Sequence, residues 1–307
     1  MKHQLCKKVL IGAVSAFAIA AVFNFSAGVE KTEAAETFSD VSSDFWASGS
    51  IQRLAEDAVI NGYSDGTFQP GQEIKRGQVA ELLTTAFNLD TSENPDSTFN
   101  DLSDDSYFTP YAEAVQEAGY ITGRNNNTEF AAGMDLSREQ MATILVRAFE
   151  LERIDEEDAI VSDINQAAES HQDNIEILAQ HGVTQTEDGV FRPKDTVSRA
   201  QFAVFLERAM ATAHTRDSGL MRVQAYDRNT VDVSFNREIG AISVDDFSFD
   251  PSLVVYSAEF IEPEESYDSN SEAETVVRLK TAEQHVQGYR FYYQGERTDN
   301  VIVGADE

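Results

Sequence analysis

Three arginines, Arg76, Arg138 and Arg199, stand at spacings of 62 and 61 residues, each inside a segment of the same pattern. The segments read IKRGQVAELLTTAF from Ile74 to Phe87, LSREQMATILVRAF from Leu136 to Phe149, and VSRAQFAVFLERAM from Val197 to Met210. Ser137 and Ser198 precede the arginine in two copies, and Gln140 and Gln201 follow three residues after the serine. That is the pattern of a reciprocal capping box, so the arginine is predicted to be the first helical residue. A cation there faces the positive end of the helix dipole, at a cost of about 0.3 to 1 kcal/mol. Two resolutions stand side by side. Free N–H groups at a helix start, together with a guanidinium, suit a carboxylate or phosphate ligand; alternatively, each arginine pairs with one of the many acids nearby.

The elements that must position these arginines follow from periodicity. Counting from each arginine, apolar residues fall at plus 3, 6, 7, 10 and 11, as in Val79, Leu82, Leu83, Ala86 and Phe87, which predicts a helix with one buried face. Ahead of each lies a second amphipathic stretch, through Ile51 and Leu54, through Ala112 and Val115, and through Ile175 and Leu178. A glycine-rich loop separates the two: INGYSDGTFQP from Ile60, ITGRNNNTEF from Ile121, and TEDGVFRP from Thr186. Gly62, Gly66 and Gly189 are expected to supply tight turns or positive φ, and Phe68, Phe130 and Phe191 to tuck the loop inward. One helix-loop-helix unit of this kind cannot hide its apolar faces alone, whereas three packed together can.

The 307 residues are 41% hydrophobic and carry a formal net charge of −31. So acidic a chain lacks the cationic surface that nucleic acid requires. The amino end has Lys2, Lys7 and Lys8, an apolar run from Val9 to Phe25, and small residues through Ala35, the layout of a secretory signal peptide cut between Ala27 and Glu36. An uncleaved anchor is the alternative, but the run is short for a bilayer span. Cys6, the sole cysteine, lies in that segment, so the mature chain is expected to have no disulfide. Export without disulfides fits a bacterial surface.

From Leu220 onward apolar and polar residues alternate over short runs, which predicts six or seven strands in an antiparallel sandwich. Val231, Val233 and Phe235 are set against Asp232 and Ser234. The segment Glu262–Ser271 reads as a long polar loop. The histidines are scattered without metal-ligand spacing, Asp245 and Asp246 make an unspecific calcium candidate, and no nucleophile, zinc or phosphate-loop motif is present. No catalytic residue, metal or cofactor is expected.

The order F-x-D-V at Phe38, Trp46-Ala47, Ile51 and Leu54, G-Y-x-D-G-T-F-x-P at Gly62, and then an arginine-led helix resembles the S-layer homology (SLH) domain, present three times. The stretches NTVDVSFNREI, VDDFSF and QGYRFYYQG resemble the Ig-like modules of bacterial surface proteins. The implied architecture is multidomain: a signal peptide over 1–35, an all-α pseudo-threefold bundle of repeats over 36–90, 97–152 and 159–213, and an all-β Ig-like sandwich over 218–307. The first resemblance implies a secreted protein of a Gram-positive-type cell wall or S-layer. It would be peptidoglycan-associated, with S-layer lattice neighbours, and would bind a pyruvylated secondary cell-wall polysaccharide in grooves between repeats. The ketal carboxylate would meet Arg76, Arg138 or Arg199. Asp40, Asp101 and Asp163 would accept from sugar hydroxyls, or else cap helices; Trp46 and Tyr107 would pack on the sugar, or else in the core. The loop glycines Gly62 and Gly123 complete the expected ligand-binding set. A wall-anchored glycan-active enzyme or adhesin is the alternative. Departures from the family pattern are Lys75-Arg76-Gly77-Gln78, which loses the side-chain cap, Glu169 in the aromatic's place, and Thr186 in place of the loop glycine.

Overall fold

The computed structural model describes residues 38–91, 96–154, 161–184, 189–262 and 273–304. The signal-peptide segment, Thr186 and most of the 262–271 loop lie outside the described residues. Among the described residues six α-helices come first: α1 Ser48–Glu56, α2 Arg76–Ala86, α3 Thr109–Glu117, α4 Arg138–Ala148, α5 Glu169–Gln180 and α6 Arg199–Ser218. Each arginine is the first helical residue, as the capping pattern requires. Ser137 and Ser198 accept from the N–H of Gln140 (3.4 Å) and Gln201 (3.2 Å), and the glutamine side chains accept in return from the serine N–H groups. In the first repeat only the return bond forms, from Lys75 N–H to Gln78 Oε1 (3.1 Å). The lysine ammonium pairs instead with Asp135 of the second repeat.

The arginine-led helix of each repeat packs on the first helix of the next, α2 on α3, α4 on α5 and α6 on α1, so the three repeats close into a ring. The residues just ahead of the arginine-led helices join at its centre. Ile74 N–H donates to Val197 O (2.9 Å), Val197 N–H to Leu136 O (2.9 Å), and Leu136 N–H to Ile74 O (3.1 Å). All three residues are buried. Apolar side chains from every repeat then form one core, with Val79, Leu83, Met141, Leu145, Phe202 and Leu206 fully inside.

Seven strands follow among the described residues: β1 Leu220–Asp227, β2 Thr230–Phe235, β3 Phe247–Asp250, β4 Val255–Ile261, β5 Thr275–Thr281, β6 Gly288–Tyr293 and β7 Glu296–Val303. They form two antiparallel sheets, ordered β1-β2-β5-β4 and β3-β6-β7, around a core that includes Val231, Phe235, Leu279, Tyr289, Phe291 and Tyr293. The alternation in β2 does not expose its polar face. Asp232 and Ser234 are buried as well, because β2 is central and Arg278 of β5 covers Asp232 with two parallel hydrogen bonds of 2.8 and 2.7 Å.

The helical part passes into the β part without a linker. The third arginine-led helix runs 20 residues where its two counterparts run 11. It turns directly into β1 through Gly219, whose φ of +74° suits glycine and whose Cβ, if present, would lie 2.8 Å from Asn236. Helix α6 also carries the join between the two parts. Buried Glu207 accepts from Arg53 of α1 (2.6 Å) and Ser50 (2.8 Å) and pairs with Arg297 of β7, while His214 Nε2 donates to the Tyr293 carbonyl (3.1 Å). Burial pushes the Glu207 carboxyl up, but the bond to Arg53 and the charges of Arg297 and Arg53 outweigh it and leave its pKa below the ordinary value. A carboxyl lowered in this way stabilises the fold above its unfolded pKa, and that contribution disappears as pH falls through the folded value. Glu207→Ala is therefore expected to cost about 3 kcal/mol in urea unfolding at neutral pH, since it strands two partly buried cations. Glu207→Gln should flatten the acid limb of the stability profile below about pH 4.5 relative to wild type.

Candidate ligand grooves between the repeats

The side chain of each arginine crosses to the loop of the next repeat around the ring. Arg76 Nε donates to the Phe130 carbonyl (2.9 Å), Arg138 Nε to Phe191 (2.6 Å) and Arg199 Nε to Phe68 (2.8 Å). Each guanidinium also lies over the ring of the same phenylalanine, 5.1, 4.7 and 4.6 Å from its centre. The backbone N–H groups that were candidates for an anion are occupied. Arg76 and Gly77 donate to Met134 and Ala132, Arg138 and Glu139 to Asp195 and Pro193, Arg199 and Ala200 to Gln72 and Pro70. The helix start is thus satisfied by the neighbouring repeat's carbonyls, which leaves the guanidinium as the group able to meet a ligand.

Nor does an acid neutralise these cations. Among the described residues no carboxylate lies within ion-pair distance of Arg76, Arg138 or Arg199. Arg76 and Arg199 are buried and Arg138 half-buried. Burial lowers the pKa of all three; for Arg76, desolvation and the nearby charge of Arg124 bring it down to about 10, still charged at neutral pH. A buried charge without a counter-ion costs free energy that a bound anion would recover.

The Asp40, Asp101 and Asp163 carboxylates do not cap helices; Asp163 stands at the start of a short 3-10 helix, Ile164–Gln166, but its side chain makes no capping bond there. Each carboxylate closes the loop of its own repeat by accepting two consecutive backbone N–H groups: Phe68 and Gln69 (2.7 and 2.8 Å), Phe130 and Ala131 (2.7 and 2.7 Å), Phe191 and Arg192 (2.7 and 2.8 Å). The second donor in each pair sits at φ near +58°, a left-handed conformation that non-glycine residues adopt at a cost, and the carboxylate holds it there. None of the three aspartates lines the cavities described next.

Among the described residues, two grooves between repeats are open. The groove of Arg199, about 260 Å³, is walled by Gly62 and Tyr63 of the first loop, Glu81 of α2 and Tyr107. The groove of Arg76, about 310 Å³, is walled by Gly123 and Arg124 of the second loop, Thr143 and Arg147 of α4, and His171. The glycines line these grooves for a reason of space rather than of φ: a Cβ on Gly62 would meet Phe38 at 2.4 Å, and one on Gly123 would meet Asn127 and Phe99 at 2.9 Å. The equivalent loop position at Arg138 is Thr186, outside the described residues.

Tyr107 and Trp46 are exposed, 61% and 62%, and neither is a core residue. Tyr107 donates to Glu81 (2.6 Å) at the mouth of the Arg199 groove, whereas Trp46 packs beside Phe45 and lines neither cavity. Counting back five from buried Ile51, Ala112 and Ile175 gives Trp46, Tyr107 and Ser170, so the third aromatic position is Ser170 rather than Glu169. The residues missed from sequence, Glu81, Thr143 and Arg147, lie at plus 5 and plus 9 from the arginine. These positions flank the apolar stripe, and the same periodicity that finds the stripe would have found them. Because each aspartate satisfies two amides, Asp101→Ala should cost about 2 kcal/mol or more in urea unfolding. The amides of Phe130 and Ala131 should lose hydrogen-exchange protection in the same variant.

Residues 37–80, 98–142 and 162–203 match the family described as the S-layer homology domain. The chain is 28% identical over 246 residues to the S-layer protein sap of Bacillus anthracis, a match covering 80% of this chain and 29% of that protein. It is 28% identical over 227 residues to the S-layer protein of Bacillus licheniformis (73% and 25%) and 35% identical over 174 residues to an endoglucanase of a Bacillus species (54% and 18%). The chain thus spans less than a third of the length of these relatives. The first match is too long to be contained within 37–203 and extends beyond the repeats, whereas the endoglucanase match is about the length of that span. Each of the three repeats of the helical part thus contains a segment that matches the S-layer homology domain.

Proposed function

We propose that this is an exported surface protein that anchors non-covalently to the cell envelope by holding an anionic wall polysaccharide in the grooves between its repeats. The observation that carries this reading is the set of three guanidinium groups, each at an inter-repeat boundary and without a carboxylate partner among the described residues. A pyruvylated sugar suits them. Its ketal carboxylate accepts from a guanidinium edge, and its ring packs between Gly62 and Tyr107 or against Gly123. The aspartates act one step back, by holding the loops whose carbonyls orient the arginines. In this reading the chain is a structural S-layer or surface component and not an enzyme, because the S-layer relatives share more than the repeats while the endoglucanase relative shares about their length. The β part is an Ig-like module that faces neighbouring surface proteins; the strand order β1-β2-β5-β4 over β3-β6-β7 is that of a constant-type immunoglobulin sandwich and supports this.

Co-sedimentation with purified cell walls, before and after chemical removal of the secondary polymer, tests the proposal. Binding should vanish with the polymer; binding that survives its removal would move the site to peptidoglycan or to the β part. Arg76→Ala with Arg138→Ala should weaken wall binding by about tenfold or more, with a thermal melt confirming that the ring still folds. A chain of net charge −31 repels an anionic polymer at long range, and salt screens that repulsion more than the buried contact. Binding should therefore hold or strengthen from low to moderate salt, and a steep decline over that range would count against the buried contact.

A further inference from the structure

The ring places equivalent positions in each groove, so the grooves can be compared residue for residue. The position after the loop glycine is Tyr63 in the Arg199 groove and Arg124 in the Arg76 groove. Five residues after the helix-leading arginine come Glu81 and Thr143, and nine after it come Thr85 and Arg147. The wall of the Arg199 groove therefore has one guanidinium and, out of ion-pair distance from it, one carboxylate, which Tyr107 holds at the rim. The Arg76 groove has three guanidinium groups and no carboxylate in its wall. Thr143 bonds to His171 Nδ1 (2.6 Å), closing the side that Tyr107 occupies in the other groove. In a protein of net charge −31, a concavity lined by three cations and no acid runs against the composition. The proximity of like charges there is felt by Arg76, whose proton affinity Arg124 lowers.

We infer that the two grooves divide their ligands by charge: the Arg76 groove takes a doubly charged anionic group, and the Arg199 groove takes a saccharide bearing at most one carboxylate. This rests on the wall-polymer reading above and adds which chemistry each groove selects. Arg124 and Arg147 are the selecting residues on one side and Glu81 on the other. Each sits at the groove wall while the shared arginine and phenylalanine stay the same. A wall polymer that carries both a dianionic substituent and a monoanionic one along its length would be gripped at both, in a fixed order along the chain.

Sulfate and methyl sulfate have similar oxygen geometry and differ in charge, so they serve as probes in a nitrogen-15 NMR titration at constant ionic strength. The Nε–H signals of Arg76 and Arg199 report the two grooves separately. Sulfate should shift Arg76 at a concentration about tenfold lower than Arg199, while methyl sulfate should separate them by no more than about threefold. Arg124→Gln with Arg147→Gln, both at exposed positions, should abolish the sulfate preference without altering the Arg199 response. Glu81→Gln should raise the sulfate response of Arg199 alone. Equal responses in the wild-type protein, or a preference that survives the double variant, would overturn the inference. The wall assay keeps the two readings apart: wall binding without the sulfate preference removes the charge division and leaves the anchor, and the preference without wall binding does the reverse.

Discussion

The hydrogen bond from an arginine Nε to the phenylalanine carbonyl of the next repeat is the contact on which the geometry between repeats depends. Each phenylalanine is held at three points: its N–H by an aspartate of its own repeat, its carbonyl by an arginine of the preceding one, and its ring by the guanidinium face and the core. The same guanidinium thus sets the spacing between repeats and forms the floor of the groove between them. This also accounts for a cation at the positive end of a helix. The helix-start amides are already satisfied by carbonyls of the neighbour, so the unfavourable dipole contact is offset by carbonyl and ring contacts that a neutral side chain could not supply.

Ring closure makes the grooves pre-formed. A loop held by two charge-assisted bonds to one aspartate, with its phenylalanine carbonyl fixed by the arginine of the preceding repeat, has little freedom left to lose when a ligand arrives. The cost is met at folding, through left-handed backbone at Gln69, Ala131 and Arg192 and through desolvation of the arginines. Such a site can discriminate on small differences in its wall, and the exchange of Glu81 for Thr143 and of Tyr63 for Arg124 is a difference of that kind.

The β part is joined to this ring as a continuation of it. Helix α6 belongs to the third repeat along its first half and to the sandwich interface along its second, and Glu207 ties the first repeat, the third repeat and β7 at one buried point. Buried ion pairs of this sort add little net stability compared with apolar packing, but they are exacting about geometry. The arrangement therefore fixes where the sandwich sits on the ring more than it strengthens either part.

What the sequence determined by itself is what depends on short spacings. The threefold repeat, the arginine as first helical residue, the capping boxes at Ser137 and Ser198, and the alternating strands all follow from periodicity and from bonds that span three or four residues. The extent of α6 was harder to read, since Ala213 to Ser218 has no apolar stripe to mark it as helix and is held by distant partners, His214 by the Tyr293 carbonyl and Arg216 by the carbonyls of Phe149 and Glu150. Only the tertiary structure decided what each arginine and aspartate touches. The partners lie 28 to 138 residues away, as in Asp40 with Phe68 and Arg199 with Asn61, and no local rule separates a loop clasp from a helix cap or a sugar ligand. The charge of each groove was decided in the same way. Its wall is assembled from three repeats at once, so acids and cations that are far apart along the chain acquire a meaning when the ring closes.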